Sequence, residues 1–450
     1  MPNSAISRPA IHRTRDPGPA SRPQKRGLKL GYVYLRRDNG TDISLHLNSH
    51  IIHHPSIQPP ASIITTSTIS SKWSESHSSA QASLPKAVCP LYVITHLPPP
   101  TDSAPAHLPA IEANPSLTLK AVYSRSEKSA RDLASAAKSP SSLAIYHDSP
   151  SASLAALLAR SDITGVIIAL PITAQPPIIR QALLAGKHVL SEKPIGPTIA
   201  AAQELIAFYD ALPSPKPIWA VGENFRYIDA FEYGASKLQE IGGELTTFRL
   251  ARHGFVAQGD KYLNTPWRKV PEYQGGFLLD GGVHFVAALR MLLGATGQGQ
   301  GQGGGEEIAR LVGFSGLLEE RLLPVDTVNA VAVTQSGKTG SIAMSFGTEF
   351  KSGLEVEVVT TKGAVHLTEA WPVRAIKSVR KNEAGEKVEE TKEFKFTIGV
   401  AEEVVAWGEA MEKGVVETKQ SPGEALKDLE ILQRLLESGE KGGEVQKIGL

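Results

Sequence analysis

The feature that most limits the fold of this chain is an alternation of strand and helix between Leu117 and Gly222. Apolar, strand-like runs at 117–123, 165–170, 187–191 and 217–222 are separated by helix-like segments at 126–137, 153–160, 177–185 and 199–211. Gly165-Val166-Ile167-Ile168-Ala169-Leu170 is apolar at every position, not at alternate ones. A strand of that kind must be covered on both faces, so the pattern predicts a parallel sheet with helices on each side. Ligands of such doubly wound α/β sheets sit outside the carboxyl ends of the strands. Pro171, Lys193 and Asn224 each follow one of those ends and are expected to line one crevice.

After Tyr227 the pattern changes. A helix at 230–241 and a strand at 245–255 lead through an irregular stretch to a helix at 283–293. Short β-like segments follow at 327–334, 340–346, 354–360 and 364–367, then a charged hairpin around Ala384-Gly385 and helices at 400–412 and 422–437. Strands in a row with short turns predict an α+β domain with an open, mostly antiparallel sheet. The Gly/Gln run at 297–305 is expected to be a flexible surface loop. Residues 1–85, rich in Ser, Pro and His, show no sustained period and are expected to be a low-complexity, disordered segment. The chain thus divides into 1–85, a doubly wound domain at 86–222 and an α+β domain at 223–450.

Composition narrows the function. With 450 residues and a net charge of +1, the chain has no global field for nucleic acid or a membrane surface, and neither is expected as a partner. A single cysteine, Cys89, rules out a disulfide framework and a Cys-based zinc site, and no metal site is expected. The first thirty residues carry seven Lys/Arg and one acid, but Pro9, Pro17, Pro19 and Pro23 break any presequence helix. A cytoplasmic location is expected.

Four constellations carry chemistry. Glu192-Lys193-Pro194 puts a lysine at a strand end, where it either forms an ordinary ion pair or holds a substrate oxygen. In Gly275-Gly276-Phe277-Leu278-Leu279-Asp280-Gly281-Gly282-Val283-His284, an Asp and a His stand four residues apart among paired glycines. With a helix starting near Gly282, His284 falls in its first turn. It reads either as a partly buried cap histidine or as a general acid/base. Gly222-Glu223-Asn224-Phe225-Arg226-Tyr227 lies where the chain leaves the α/β domain, a place where pockets form. Ser124-Arg125-Ser126 follows the second expected strand. In dinucleotide-binding folds an acid there takes the ribose 2′-OH and an Arg a 2′-phosphate, so Arg125 favours NADP(H) over NAD(H).

The order of these motifs resembles the Gfo/Idh/MocA oxidoreductases, which include glucose–fructose oxidoreductase, inositol dehydrogenase and dihydrodiol dehydrogenase. The motifs that carry the resemblance are Ala121 to Ser126, Ala185 to Pro194, Asn224 to Tyr227, Trp267-Arg268 and Gly275 to His284. The resemblance implies a Rossmann-type domain that binds NAD(P), followed by a domain whose open sheet mediates a homodimer. It implies that Lys193 is the catalytic-site lysine and His284 the proton donor or acceptor, with Asp280 beside it. Ser124, Arg125, Ser126, Leu170, Pro171, Glu192, Lys193, Asn224, Arg226, Trp267 and Arg268 are expected near the cofactor. The activity implied is hydride transfer to or from a small carbonyl, alcohol or sugar-like substrate. A non-catalytic dinucleotide sensor on the same fold is the alternative.

Three departures from the family pattern stand out. Gln175 replaces a usual His after the fourth strand, and Ala287 replaces an acid often found three residues after the active-site His. Upstream, the expected G-x-G-x-x-G is missing. No glycine occurs between Gly40 and Gly165, and Pro98, Pro99 and Pro100 have no amide hydrogens to offer a phosphate. Residues 1–105 are therefore expected to replace the true first strand and glycine loop, although 88–95 could supply a strand. Dinucleotide binding by this chain is expected to be weakened.

Overall fold

The computed structural model of the protein describes residues 89–95, 103–260, 263–297 and 305–449. The segments expected to be disordered (1–85), to replace the glycine loop (96–102) and to form most of the Gly/Gln loop (298–304) lie outside these residues.

The first half of the chain alternates β1 (Cys89–Thr95), α1 (Ser103–Ala113), β2 (Leu117–Tyr123), α2 (Glu127–Ser135), β3 (Ala144–Tyr146), α3 (Leu154–Leu158), β4 (Gly165–Ala169), α4 (Gln175–Leu184), β5 (His188–Glu192), α5 (Ile199–Asp210) and β6 (Trp219–Gly222). The six strands form one parallel sheet in the order β3-β2-β1-β4-β5-β6. This is the doubly wound order in which a crevice opens where the winding reverses, between β1 and β4. Cys89–Thr95, within the segment expected to replace the true first strand, occupies the first-strand position, as the reading of 88–95 allowed. Pro90 is tolerated because pairing with β4 begins only at Leu91, so at Pro90 the strand has a neighbour on the β2 side alone.

The second half contains α6 (Asp229–Ile241), β7 (Leu245–His253), a short α7 (Pro266–Lys269), α8 (Gly276–Gly294), β8 (Ile308–Gly316), β9 (Thr327–Thr334), β10 (Thr339–Ser345), β11 (Gly353–Thr360), β12 (Gly363–Ala370), β13 (Val373–Lys381), β14 (Lys387–Lys395), α9 (Val400–Lys413), α10 (Pro422–Glu440) and β15 (Gln446–Lys447). Its nine-stranded sheet runs β14-β13-β12-β11-β7-β10-β9-β8-β15. All its neighbours pair antiparallel except β7 and β10. The alternating burial of β9 and β11 shows one face turned to the core.

Helix α8 is the main insert of that core. It begins at Gly276, nearly two turns earlier than the sequence pattern suggests. Gly275 and Gly276, at φ 82° and 47°, supply the left-handed entry that other residues resist. Gly281 and Gly282 stay helical because packing overrides their poor propensity. An added Cβ would lie 3.0 Å from the Phe346 ring or from Leu432. Each buried Leu or Phe on this helix contributes roughly 1.5–3 kcal/mol. The helix is long and apolar enough to cross a membrane, but most of it is buried inside this domain.

Helix α9 comes late in the chain yet covers the first sheet. Val400, Val404 and Trp407 pack with Leu108 and Ile111 of α1 and with Val122, Ile167, Leu190 and Ala220 of the strands. The chain's end is thereby laid against the carboxyl ends of β5 and β6, where the polar residues gather.

Candidate active site

The end of β5 and the first turns of α8 meet at a buried carboxylate. Lys193, directly after β5, donates from Nζ to the Asp280 backbone oxygen at 2.7 Å and to Oδ1 at 3.0 Å. Arg268, on α7, donates from Nε to Asp280 Oδ2 at 2.8 Å. Asp280 is 5% exposed. Burial would raise its pKa, but the charges of Arg268 and Lys193 outweigh that and hold the carboxyl well below the usual range. Lys193 therefore pairs with Asp280 across the domains and not with its neighbour Glu192.

Because α8 starts at Gly276, Asp280 and His284 lie one turn apart on the same helical face. His284 Nδ1 is 2.6 Å from Glu223 Oε1, and its ring stacks on Phe225 with centroids 4.6 Å apart. Glu223 is buried and also accepts from the Phe225 amide at 3.2 Å. Burial raises its pKa, but the nearby His284, Arg226 and Lys193 bring it below the ordinary value. The ionised carboxylate accepts from Nδ1–H, which leaves Nε2 as the nitrogen able to exchange a proton with a ligand. This is the orienting arrangement of an acid–base histidine.

These groups open onto one cavity of about 360 Å³. Lys193, Asp280, His284, Glu192, Asn224 and Arg268 all line it, which joins six of the residues singled out in the sequence. Glu192 accepts from buried His107 at 2.8 Å, and Asn224 Nδ2 donates to the Ile398 oxygen at 2.6 Å. Trp267 stands just behind, with the Arg268 guanidinium 4.1 Å from its ring centroid. Leu170 and Pro171 directly follow β4, next in the sheet to β5. Ser124, Arg125 and Ser126 stand at the end of β2, on the far side of β1 and β4. Ser126 Oγ caps α2 by accepting from the Ser129 amide at 3.1 Å, and Arg125 is exposed.

Arg226 departs from expectation. It turns away from the cavity and is buried in a pair with Asp428, with a further bond to the Lys419 oxygen at 3.4 Å. Arg290 holds the other Asp428 oxygen at 2.7 Å. A buried carboxylate needs such partners, and this one recruits Arg226 from below the site.

Several groups escaped sequence reasoning. Glu403, on α9, lines the cavity, is 2% exposed, and has no hydrogen-bond partner for Oε1 among the described residues. Burial pushes its carboxyl well above the ordinary value, and the charges of Glu192 and Glu223 push further in that direction. A raised folded-state pKa means the folded protein keeps a proton that the unfolded chain releases. Stability from this group is full below the unfolded pKa and is lost as pH rises through the folded one. Glu403→Gln should flatten that loss. Its melting temperature should exceed the wild-type value at about pH 8, with the gap closing near about pH 4. Parallel melting curves across pH would show that Glu403 does not titrate in this way.

Comparison with known proteins agrees with the geometry. Residues 102–212 match the model of an oxidoreductase family with an NAD-binding Rossmann fold, and residues 240–366 match the GFO/IDH/MocA C-terminal domain. Dehydrogenase FPY6 of Fusarium mangiferae is 46% identical over 345 residues, covering 76% of this chain and 95% of that protein. D-xylose 1-dehydrogenase (NADP(+)) 2 of Haloferax volcanii is 26% identical over 344 residues, covering 75% and 94%. The crystal structure of an oxidoreductase from Thermotoga maritima superposes with a TM-score of 0.65 at 25% identity, covering 80% of this chain and 98% of that one. The two matches fall one in each domain, and the Fusarium dehydrogenase aligns over nearly its whole length, so this chain belongs to the Gfo/Idh/MocA oxidoreductases, a family of NAD(P)-binding enzymes.

Proposed function

We propose that this chain is an NADP(H)-dependent oxidoreductase that interconverts a carbonyl and an alcohol in the cavity at the end of β5. The observation that carries this is the joint position of Lys193 and His284 on the lining of one cavity, with Glu223 bonded to the His284 ring from outside that lining. Lys193 polarises the reacting oxygen. His284 moves the proton at Nε2, with Glu223 holding the ring in place and stabilising its charged form. Bound nicotinamide supplies or accepts the hydride.

The fit to a dinucleotide differs along its length. β2 and β5 are three strand spacings apart, about 14 Å at about 4.8 Å per strand. An extended dinucleotide laid over β1 and β4 would place its adenosine ribose near Arg125 and its nicotinamide near Lys193. Arg125, without an acid at its position, supports a 2′-phosphate and hence NADP(H). The pyrophosphate end fits less well. The sequence leading into α1 has Pro98, Pro99 and Pro100 and no glycine, and Pro105 removes another amide hydrogen from the first turn. These prolines favour a second reading, in which the chain keeps its chemical groups and binds the cofactor weakly. Exposed Phe314 and Val331 on the outer face of the second sheet support a homodimer through that sheet.

Fluorescence titration with NADPH and NADH, followed by turnover with a panel of aldehydes, ketones and sugars, tests the proposal. Tighter binding of NADPH than NADH, together with NADPH-dependent turnover, is the expected result. Binding without turnover would point to a sensor, and no binding at all would overturn the oxidoreductase reading for this chain.

A further inference from the structure

Among the described residues, one cation of the cavity has no carboxylate of its own. Arg252 is the next-to-last residue of β7, where Phe248, Leu250 and Arg252 alternate onto the core-facing side. It lies opposite Met344 of β10 and Leu354 of β11, both fully buried. A charge at such a position is costly unless something compensates it.

Protein groups compensate only part of it. Nη1 donates to the backbone oxygens of His253 and Gly353, the latter at 3.3 Å. Nε has no hydrogen-bond partner among the described residues. The carboxylates nearby are committed elsewhere. Asp280 serves Lys193 and Arg268, and Glu369 accepts from Arg374 Nε at 2.7 Å. Burial lowers the Arg252 pKa, and the charge of Glu369 only partly opposes this.

The surroundings of Arg252 are aromatic. Its guanidinium lies 5.4 Å from the Phe285 ring centroid and 6.0 Å from that of Phe346. Phe277 meets Phe346 edge-on, and Phe225 and Phe396 complete the phenyl lining of the same cavity. A wall of phenyl rings offers no hydrogen bonds to a polyol but accepts a flat apolar body.

We propose that Arg252 is an anion-binding subsite, and that the substrate carries a carboxylate on a flat, largely apolar body seated among Phe277, Phe285 and Phe346. The carboxylate pairs with the guanidinium at Nη2, which makes no hydrogen bond among the described residues and, unlike Nε, is not buried. This deepens the carbonyl–alcohol reading and rests on it for the chemistry, while the binding claim stands by itself.

Calorimetric binding of 3-phenylpropionate and 3-phenylpropanamide to the full-length chain tests the subsite with probes that cannot react. The acid should bind about 10-fold more tightly than the amide, or better, as expected for a charge-assisted pair. Arg252→Met should abolish the preference, and Arg252→Lys should retain part of it. Equal binding of acid and amide by the wild-type protein, binding of neither, or a preference that survives in Arg252→Met would overturn the proposal. NADPH-dependent reduction of phenylpyruvate is read separately. A chain that prefers the acid yet reduces nothing would count against the oxidoreductase reading and in favour of the subsite.

Discussion

Lys193→Met is expected to lower turnover by about 10²–10³-fold, the usual cost of removing a preorganised donor from a reacting oxygen. Nζ is held by two bonds to Asp280, at 2.7 and 3.0 Å, so its position is set before a substrate enters. Methionine fills similar space but offers no charge and no hydrogen. Asp280 keeps its bond from Arg268 in the variant, so the carboxylate is not stranded. NADPH affinity measured by fluorescence should change little, because the lysine acts at the reacting end alone. Steady-state turnover equal to wild type would remove Lys193 from the mechanism.

Asp280→Asn is expected to cost about 3–5 kcal/mol of stability, the typical loss when one member of a buried ion cluster is removed. Lys193 and Arg268, both poorly exposed, would then face each other as like charges with a neutral amide between them. Against a total stability of about 5–15 kcal/mol this is a large fraction. Urea unfolding with an unchanged m-value measures it. The double variant Lys193→Met/Asp280→Asn should lose less than the sum of the singles, because one of the two facing cations is gone. A loss below about 1 kcal/mol in Asp280→Asn would mean that solvent already screens the cluster. The pH dependence follows the same logic. A folded-state pKa held below the usual range contributes stability that is present above the unfolded pKa and is lost only as pH falls through the folded value.

How far the sequence could be read depended on the range of each interaction. The parallel sheet was legible because a strand covered on both faces must be apolar at every position, and β4 is buried along its whole length. The hairpin at Ala384-Gly385 was legible because its turn is local, and β13 and β14 pair across it. β8 was missed: Ile308 to Gly316 contains two polar or charged residues and two glycines, and it becomes a strand by pairing with β9. The start of α8 was misplaced because glycines argue against helix locally. Only contacts with Phe346, Leu432 and Leu436, from distant elements, decide otherwise.

The site divides the same way. Lys193, Asp280 and His284 were singled out because the order of their short motifs resembles that of a known family. Their partners were not legible: Lys193 could have paired with adjacent Glu192, and Arg226 could have faced the cofactor. The sequence by itself determined a doubly wound sheet followed by an open one, and a lysine, an aspartate and a histidine near their junction. Those follow from periodicity and local motifs. Only the tertiary structure decided that Glu223 orients His284, that Arg226 belongs to Asp428, that Glu403 enters from α9, and that Arg252 has no carboxylate partner among the described residues. Buried charges take whichever partner the packing brings within hydrogen-bond reach, and separation along the chain does not record that distance.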